Sequence, residues 1–158
     1  MHMVYLIGRV ALVAIFLVAG LQKLLDIAAT AAQIAAKFTI PAVLAPYAAN
    51  IEELTGMTAP QILAIASAVI EIVFALFIIF NLATRFSALV LVVYTVVVTA
   101  YTYDVWNMSG TALADAILQI MKNISIMGGL LMLFAVGPWE VVDYEDDDTP
   151  YAPRHMHE

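Results

Sequence analysis

The sequence predicts an all-α integral-membrane protein, a four-helix bundle with an interfacial helical cap between its first two membrane helices. Of the 158 residues, 64% are hydrophobic and only 12% are charged, whereas charged residues make up about a quarter of a soluble domain. Four apolar segments each approach the roughly 20 residues that a helix needs to cross a bilayer. A surface this apolar requires lipid as its solvent.

The predicted elements divide the chain into a transmembrane domain at residues 1–143 and an acidic C-terminal tail at 144–158. The membrane helices and the cap are expected at about residues 4–25, 26–59 (the cap), 61–82, 84–106 and 113–136. Four crossings place both termini on one side of the membrane. The few Lys and Arg residues favour cytoplasmic termini under the positive-inside rule, and the bacterial inner membrane is the expected location.

The first helix and the cap differ in composition. The first helix is apolar except for Arg9, which is expected to anchor it at the interface, and Lys23 near its end. It lacks the basic start and the short length of a cleavable signal peptide. The alanine-rich stretch 27–38 is expected to lie as a helix at the membrane interface. Pro41 and Pro46 interrupt the cap beyond it.

The other three membrane helices are bounded by turn signals. Pro60 suits the first turn of the second helix, and a tight hairpin is expected at residues 81–85. Gly137 and Pro138 end the fourth helix, because proline cannot continue it. The fourth helix contains Asp115 and is the richest in polar groups, so we expect its neighbours to shield it from lipid.

Several classes of function are excluded by the residue types present. The chain has no cysteine, so it has no disulfide, cysteine nucleophile or cysteine-ligated iron–sulfur cluster. Its three histidines lie at the termini, so a His-ligated haem within the membrane core is not expected, and no metal motif appears. The net charge of −7 gives no reason to expect nucleic-acid binding. It is concentrated near the C-terminus, where the tail is a candidate docking element for other membrane-complex subunits.

The polar residues inside the apolar segments are the candidate functional site. A lysine in hydrocarbon costs about 3 kcal/mol unless it is paired, so we expect Glu71 or Asp104 to neutralise Lys122. Such a pair is either a structural ion pair that fixes helix register or part of a ligand, quinone or proton site facing the cap. The candidate residues are Lys23, Glu71, Thr99, Asp104, Gln119, Lys122 and Asn123.

The order and spacing of short motifs over about residues 8–143 resemble the DoxX-like family of small four-helix bacterial membrane proteins. The matching residues are Gly8-Arg9, Ala19-Gly20-Leu21-Gln22-Lys23, Pro41, Glu71, residues 83–88, Gln119 to Asn123, residues 128–131, Gly137-Pro138 and Asp143. The chain departs from the family at residues 73–75 and at Asn81, where glycines are usual. These bulkier residues are expected to close a groove that the family leaves open.

The resemblance implies a role in a membrane-associated oxidoreductase assembly, as in quinone-linked thiosulfate oxidation or oxidative stress. The prediction is an accessory subunit that stabilises a larger, redox-linked membrane complex, without a redox cofactor of its own and without catalytic activity alone. A first alternative is a quinone-interacting subunit, in which Gln119, Lys122, Asn123 and Tyr103 bind a quinone carbonyl and a partner supplies the electrons. A second is a small-solute or proton transporter that uses Glu71, Lys122 and the threonines of helix three. No cofactor is evident in the sequence, and a quinone or a lipid is the candidate ligand.

Overall fold

The computed structural model describes residues 2–37, 43 and 45–138. Within them, the chain forms six α-helices, one short 3₁₀ helix and no β-strand. The helices are α1 (His2–Leu25), α2 (Ile27–Lys37), α3 (Ala45–Thr55), α4 (Ala59–Ile79), α5 (Thr84–Thr102) and α6 (Gly110–Val136), with the 3₁₀ helix at Val105–Asn107. Four of these segments, containing α1, α4, α5 and α6, are long and apolar enough to cross a membrane. The prediction of an all-α membrane protein is confirmed, and the predicted cap contains α2 and α3.

The ends of the membrane helices follow from local backbone chemistry. The first turn of α4 contains Pro60, as predicted, and the Thr58 amide donates to the Gln61 side chain over 2.9 Å. The turn after α4 contains two left-handed residues, Asn81 (φ 61°) and Ala83 (φ 45°). Left-handed backbone cannot continue a right-handed helix, so α4 ends at Ile79, three residues before the sequence predicted.

The core of the bundle receives side chains from all four membrane helices. They are Val13 and Phe16 from α1, Ala75 and Ile78 from α4, Ala88 and Leu91 from α5, and Leu130 and Leu133 from α6. The helix α4 packs against α1, α2 and α5, whereas α6 packs mainly against α5. The small side chains of α4 and α5 let the helices approach closely, which is how membrane helices pack in the absence of a hydrophobic driving force.

Helices α1 and α4 lie in close contact at Gly20. A Cβ atom there would lie 2.7 Å from Ile72 Cγ1, 3.0 Å from the Ala68 carbonyl oxygen and 3.3 Å from Glu71 Cβ. The absence of a side chain therefore allows α1 to lie directly against α4 at the level of Glu71. Because residues three apart share one face of a helix, the same contact directs Lys23 towards Glu71.

The C-terminal end of α6 is fixed by Gly137, which confirms the predicted stop. Its φ of 82° lies in the left-handed region that favours glycine, and a Cβ atom would lie 2.5 Å from Arg85 Nε. The Tyr5 hydroxyl donates to the Gly137 carbonyl over 3.3 Å. The predicted boundary at residue 143, the acidic tail 144–158 and Pro41 lie outside the described residues.

Candidate functional site

An ion pair between α1 and α4 forms the centre of the candidate site. The Lys23 ammonium lies 2.6 Å from Glu71 Oε1 and donates to the Tyr94 hydroxyl of α5 over 2.8 Å. Glu71 is only 4% exposed, and Lys23 is partly buried. These three side chains link three of the four membrane helices through charge-assisted hydrogen bonds, which are stronger than neutral ones.

The predicted partner of Lys122 is wrong, because Glu71 pairs with Lys23 instead. The alternative, Asp104, is exposed and accepts a hydrogen bond from the Asn107 side chain after the end of α5. Lys122 itself is exposed on α6, and no carboxylate of the described residues pairs with it. The contact at Gly20 explains the difference, because it brings α1 rather than α6 against Glu71.

A cavity of about 590 Å³ lies beside Lys23, between α2, α4 and α5. Its lining is mostly apolar with a few polar groups, as is usual for small-molecule sites of 300–1,000 Å³. The residues are Lys23, Thr30, Gln33, Ile34, Ala36, Lys37, Leu63, Ser67, Tyr94, Val97, Val98, Tyr101 and Thr102. We call this space the cap-side cavity, since α2 of the cap forms one of its walls.

The wall that α2 contributes is held to α5 by two hydrogen bonds. Lys37 Nζ donates to the Thr102 carbonyl over 2.7 Å, and the Tyr101 hydroxyl donates to the Ile34 carbonyl over 3.3 Å. Both bonds end on the backbone, so they fix the position of the helices whatever the cavity contains. The cap is therefore part of the site, since α2 lines the cavity together with Leu63 and Ser67 of α4.

Lys23 and Ser67 present one hydrogen-bond donor and one acceptor to the cap-side cavity. A lysine ammonium has three N–H donors, and Lys23 uses one on Glu71 and one on Tyr94. Ser67 donates its proton to the Ala64 carbonyl over 2.8 Å, which leaves its oxygen as an acceptor. The third N–H of Lys23 has no partner among the described residues. This arrangement suits a ligand that offers an acceptor oxygen, such as a carbonyl group.

A second cavity, of about 150 Å³, lies on the other side of Tyr94. Its lining includes Glu71, Thr95 and Asn123 among apolar side chains, and Tyr94 and Val98 line both cavities. Glu71 Oε2 is buried without a hydrogen-bond partner in the described part of the chain. The Lys23–Glu71 pair therefore lies between two spaces, with the ammonium at the larger and the carboxylate at the smaller.

The structure brings only some of the predicted site residues together. Lys23 and Glu71 form the pair described above, and Asn123 Nδ2 donates to Thr99 Oγ1 over 2.8 Å, which joins α6 to α5. Gln119 is exposed on α6 and lines neither cavity, and Tyr103, proposed as a quinone ligand, lines neither cavity either. The residues expected to surround one ligand are therefore spread over the bundle.

Sequence reasoning missed Tyr94 and Ser67 as members of the site. Neither residue is among the candidates that the sequence predicts. Ser67 lies one turn before Glu71 on the same face of α4, and this i, i+4 spacing was an available signal. No comparable signal exists for Tyr94, because its approach to Lys23 depends on how α5 is rotated against α1.

A second polar cluster lies at the opposite end of the bundle. Arg9 is 3% exposed and donates to Asn81 Oδ1 over 2.8 Å and to the Thr84 hydroxyl. The guanidinium also lies 5.9 Å from the Tyr5 ring centroid, a cation–π distance. The expectation that Arg9 extends to the interface is therefore wrong, because neighbouring helices bury it.

The same cluster explains one departure from the family pattern. Asn81 has a φ of 61°, a conformation that glycine adopts freely and asparagine tolerates, and it lies in the turn between α4 and α5. Neither Asn81 nor residues 73–75 line the two cavities. The expectation that these bulkier residues close a groove that the family leaves open stays a prediction.

Comparisons with known proteins agree with this architecture. The family model described as DoxX matches residues 4–104. The relative described as inner membrane protein YphA, from Escherichia coli (strain K12), is 29% identical over 133 residues, which cover 84% of this chain and 82% of the relative. No solved structure gives a significant match.

Proposed function

The chain belongs to the DoxX family of membrane proteins, and from this premise we propose that it is a subunit of a larger, redox-linked membrane assembly. Its contribution there is to bind an amphipathic ligand of the quinone class in the cap-side cavity. The observation that carries the proposal is the free donor of Lys23 at the inner end of a mostly apolar cavity of about 590 Å³.

The chemistry of the cavity supports a ligand with an acceptor oxygen on an apolar body. Lys23 offers its third N–H to a carbonyl oxygen. The ion pair with Glu71, in which Nζ lies 2.6 Å from Oε1, holds the ammonium in position. The side chains of Leu63, Val97 and Val98 surround the remainder of the ligand. A quinone head group fits this pattern, because its carbonyl accepts the hydrogen bond and its ring and tail require apolar contacts.

The electrons for such a ligand come from a partner protein. The chain has no cysteine, and its histidines are His2, His155 and His157, so the four membrane spans, which begin at Met3, contain neither residue type for a haem or an iron–sulfur cluster. In this proposal the chain is inactive alone and provides the ligand site within the assembly. The bacterial inner membrane is the proposed location, since the Escherichia coli relative is an inner membrane protein.

Ligand affinity tests this proposal. The full-length protein in lipid nanodiscs is titrated with a short-tailed ubiquinone, and binding is followed by calorimetry. Lys23→Met is expected to weaken binding about tenfold or more, because a hydrogen bond from a charged group contributes about 1.5–3 kcal/mol. Lys122→Met, the same change at an exposed lysine outside both cavities, is the matched control and should bind as the wild type does.

A second variant separates ligand contact from folding. Leu63→Trp adds volume inside the cap-side cavity and leaves the Lys23–Glu71 pair intact, so it should abolish binding by filling the space. If Lys23→Met and Leu63→Trp both bind the quinone with wild-type affinity, the cavity is not a quinone site.

The two cavities support transport of a proton or small solute as a second candidate function. Tyr94 and Val98 line both spaces, and the Lys23–Glu71 pair lies between them. Glu71→Gln removes the negative charge and is expected to reduce proton flux into liposomes severalfold. A flux that Glu71→Gln leaves unchanged, or no flux above that of empty liposomes, would remove this candidate.

A further inference from the structure

The helix α6 carries polar side chains on a face that the rest of the bundle leaves uncovered. Asp115, Gln119 and Lys122 follow i, i+4, i+7 spacing, share one helical face and are all exposed. We call these three residues the α6 polar face. Only 11% of the α6 membrane segment is buried, compared with 22–28% in the other three. The helix α6 is therefore the least buried of the four membrane helices, and it carries the exposed Lys122.

The depth of Lys122 makes this exposure costly. Lys122 lies twelve residues after Gly110, where α6 begins, which is about 18 Å along the helix. The 27 residues of α6 extend about 40 Å, and the hydrocarbon core is about 30 Å thick. Lys122 is therefore close to the middle of the bilayer, too deep for its side chain to reach the interface by snorkelling. An ammonium at this depth requires a counter-charge.

The described residues supply no such counter-charge. Glu71 is buried and paired with Lys23, and Asp104 lies beyond the end of α5 beside Asn107. Asp115 is seven residues from Lys122, or about 10 Å along the same helix. A second copy of the chain does not solve the problem, because in a parallel symmetric dimer Lys122 meets a lysine at its own depth.

We propose that the α6 polar face binds a membrane helix of a different protein, and that this helix carries an Asp or Glu at mid-membrane depth. The carboxylate pairs with Lys122, and the Gln119 amide forms a hydrogen bond one turn away. An anionic lipid fits less well, because its phosphate stays at the headgroup level. This inference rests on the proposed membership of a membrane assembly and adds the chemistry of the partner.

Site-specific photocrosslinking tests the location of this interface. A photoreactive residue replaces Gln119 in one variant and Val69, an exposed residue of α4, in a control. After irradiation in native membranes, the Gln119 variant should crosslink to one other membrane protein whose sequence has a membrane helix with a central Asp or Glu. The Val69 variant should not crosslink to it. Crosslinks from Gln119 only to lipid, or only to a second copy of this chain, would overturn the proposal.

The charge requirement is tested on the identified partner. Lys122→Met and Lys122→Glu are each expected to reduce co-purification in mild detergent about tenfold, a change that a single interhelical polar contact can produce. Lys122→Arg, which keeps the charge, should retain the partner. Lys122→Glu in this chain should associate again with a partner in which Lys replaces the mid-membrane Asp or Glu, because this exchange of charges restores the ion pair.

The same variants also provide the results that would contradict direct pairing between Lys122 and the partner's carboxylate. Retention of the partner by Lys122→Glu, or failure of the exchange to restore it while both proteins remain folded by circular dichroism, would contradict direct pairing. This test of the partner is independent of the test of the ligand site. Lys122→Met should retain quinone affinity whether or not it retains the partner.

Discussion

At the scale of single residues, the environment of Glu71 gives the Lys23–Glu71 pair its energetic importance. Glu71 is 4% exposed, and one of its oxygens has no hydrogen-bond partner within the described residues. Lys23 is therefore the group that compensates the buried carboxylate. Removing one partner of a buried ion pair is strongly destabilising because it leaves an uncompensated charge, whereas removing both can be nearly neutral.

A double-mutant cycle measures this coupling. Lys23→Met alone should lower the free energy of unfolding by about 3 kcal/mol, near the lower end for a broken buried pair, since Lys23 is partly exposed. The double variant with Glu71→Gln should lose less than the sum of the two single losses, by about 1–2 kcal/mol. Denaturant unfolding in detergent provides the values, and strict additivity would show that the pair contributes no coupling.

The sequence identified both members of the pair but not their contact. An apolar segment with a lone Lys or Glu is visible by composition alone, because buried charge is rare in membrane helices. If the ends of α1 and α4 were level, Glu71 would lie about 15 Å deeper than Lys23, so the sequence does not indicate that the two side chains meet. The axial displacement of one helix relative to its neighbour, here called the stagger, depends on side-chain packing. A hydropathy pattern does not indicate it.

At the scale of the helices, Gly20 sets this stagger. The sequence showed the glycine, but not which helix it would meet. In the structure a Cβ atom at Gly20 would contact the backbone oxygen of Ala68 as well as Ile72, so the contact cannot be relieved by a side-chain rotation alone. The position of Lys23 relative to Glu71 is therefore determined by the α1–α4 contact.

Replacing Gly20 tests the role of that contact. Gly20→Val should destabilise the protein by about 1–3 kcal/mol through overpacking and should weaken quinone binding by moving Lys23. Gly8→Val is the matched control, since a Cβ at Gly8 meets nothing within 4 Å. Thermal unfolding and the calorimetric titration provide the two readouts. Equal effects of the two variants would show that the close approach at Gly20 does not position the site.

The cap illustrates a second limit of prediction at this scale. Its alanine-rich composition indicated a helix, and α2 is present at Ile27–Lys37. Nothing in the sequence indicated that α2 forms a wall of a cavity with α4 and α5. That arrangement depends on two long-range hydrogen bonds, from Lys37 to the Thr102 carbonyl and from Tyr101 to the Ile34 carbonyl, which have no local sequence signal.

At the scale of the whole molecule, the buried charged groups of the described residues lie in two clusters separated by an apolar core. Lys23, Glu71 and Tyr94 lie in the half of the bundle that faces the cap, and Arg9 with Asn81 lies at the opposite end. The four-helix architecture was predictable because lipid forces the backbone into helices of a fixed length. The ligand cavity was not, because a cavity depends on small mismatches in packing.

The most direct test of the central claim, that the cap-side cavity binds a quinone, is photolabelling with an azidoquinone. The full-length protein in nanodiscs is irradiated with the probe, and mass spectrometry identifies the labelled peptides. We expect labels on α2, α4 and α5 at the cavity lining, around Ile34, Leu63 and Val98. Excess unlabelled ubiquinone should remove these labels, and Leu63→Trp should prevent them. Labelling confined to α6, or labelling that competitor and Leu63→Trp leave unchanged, would contradict it.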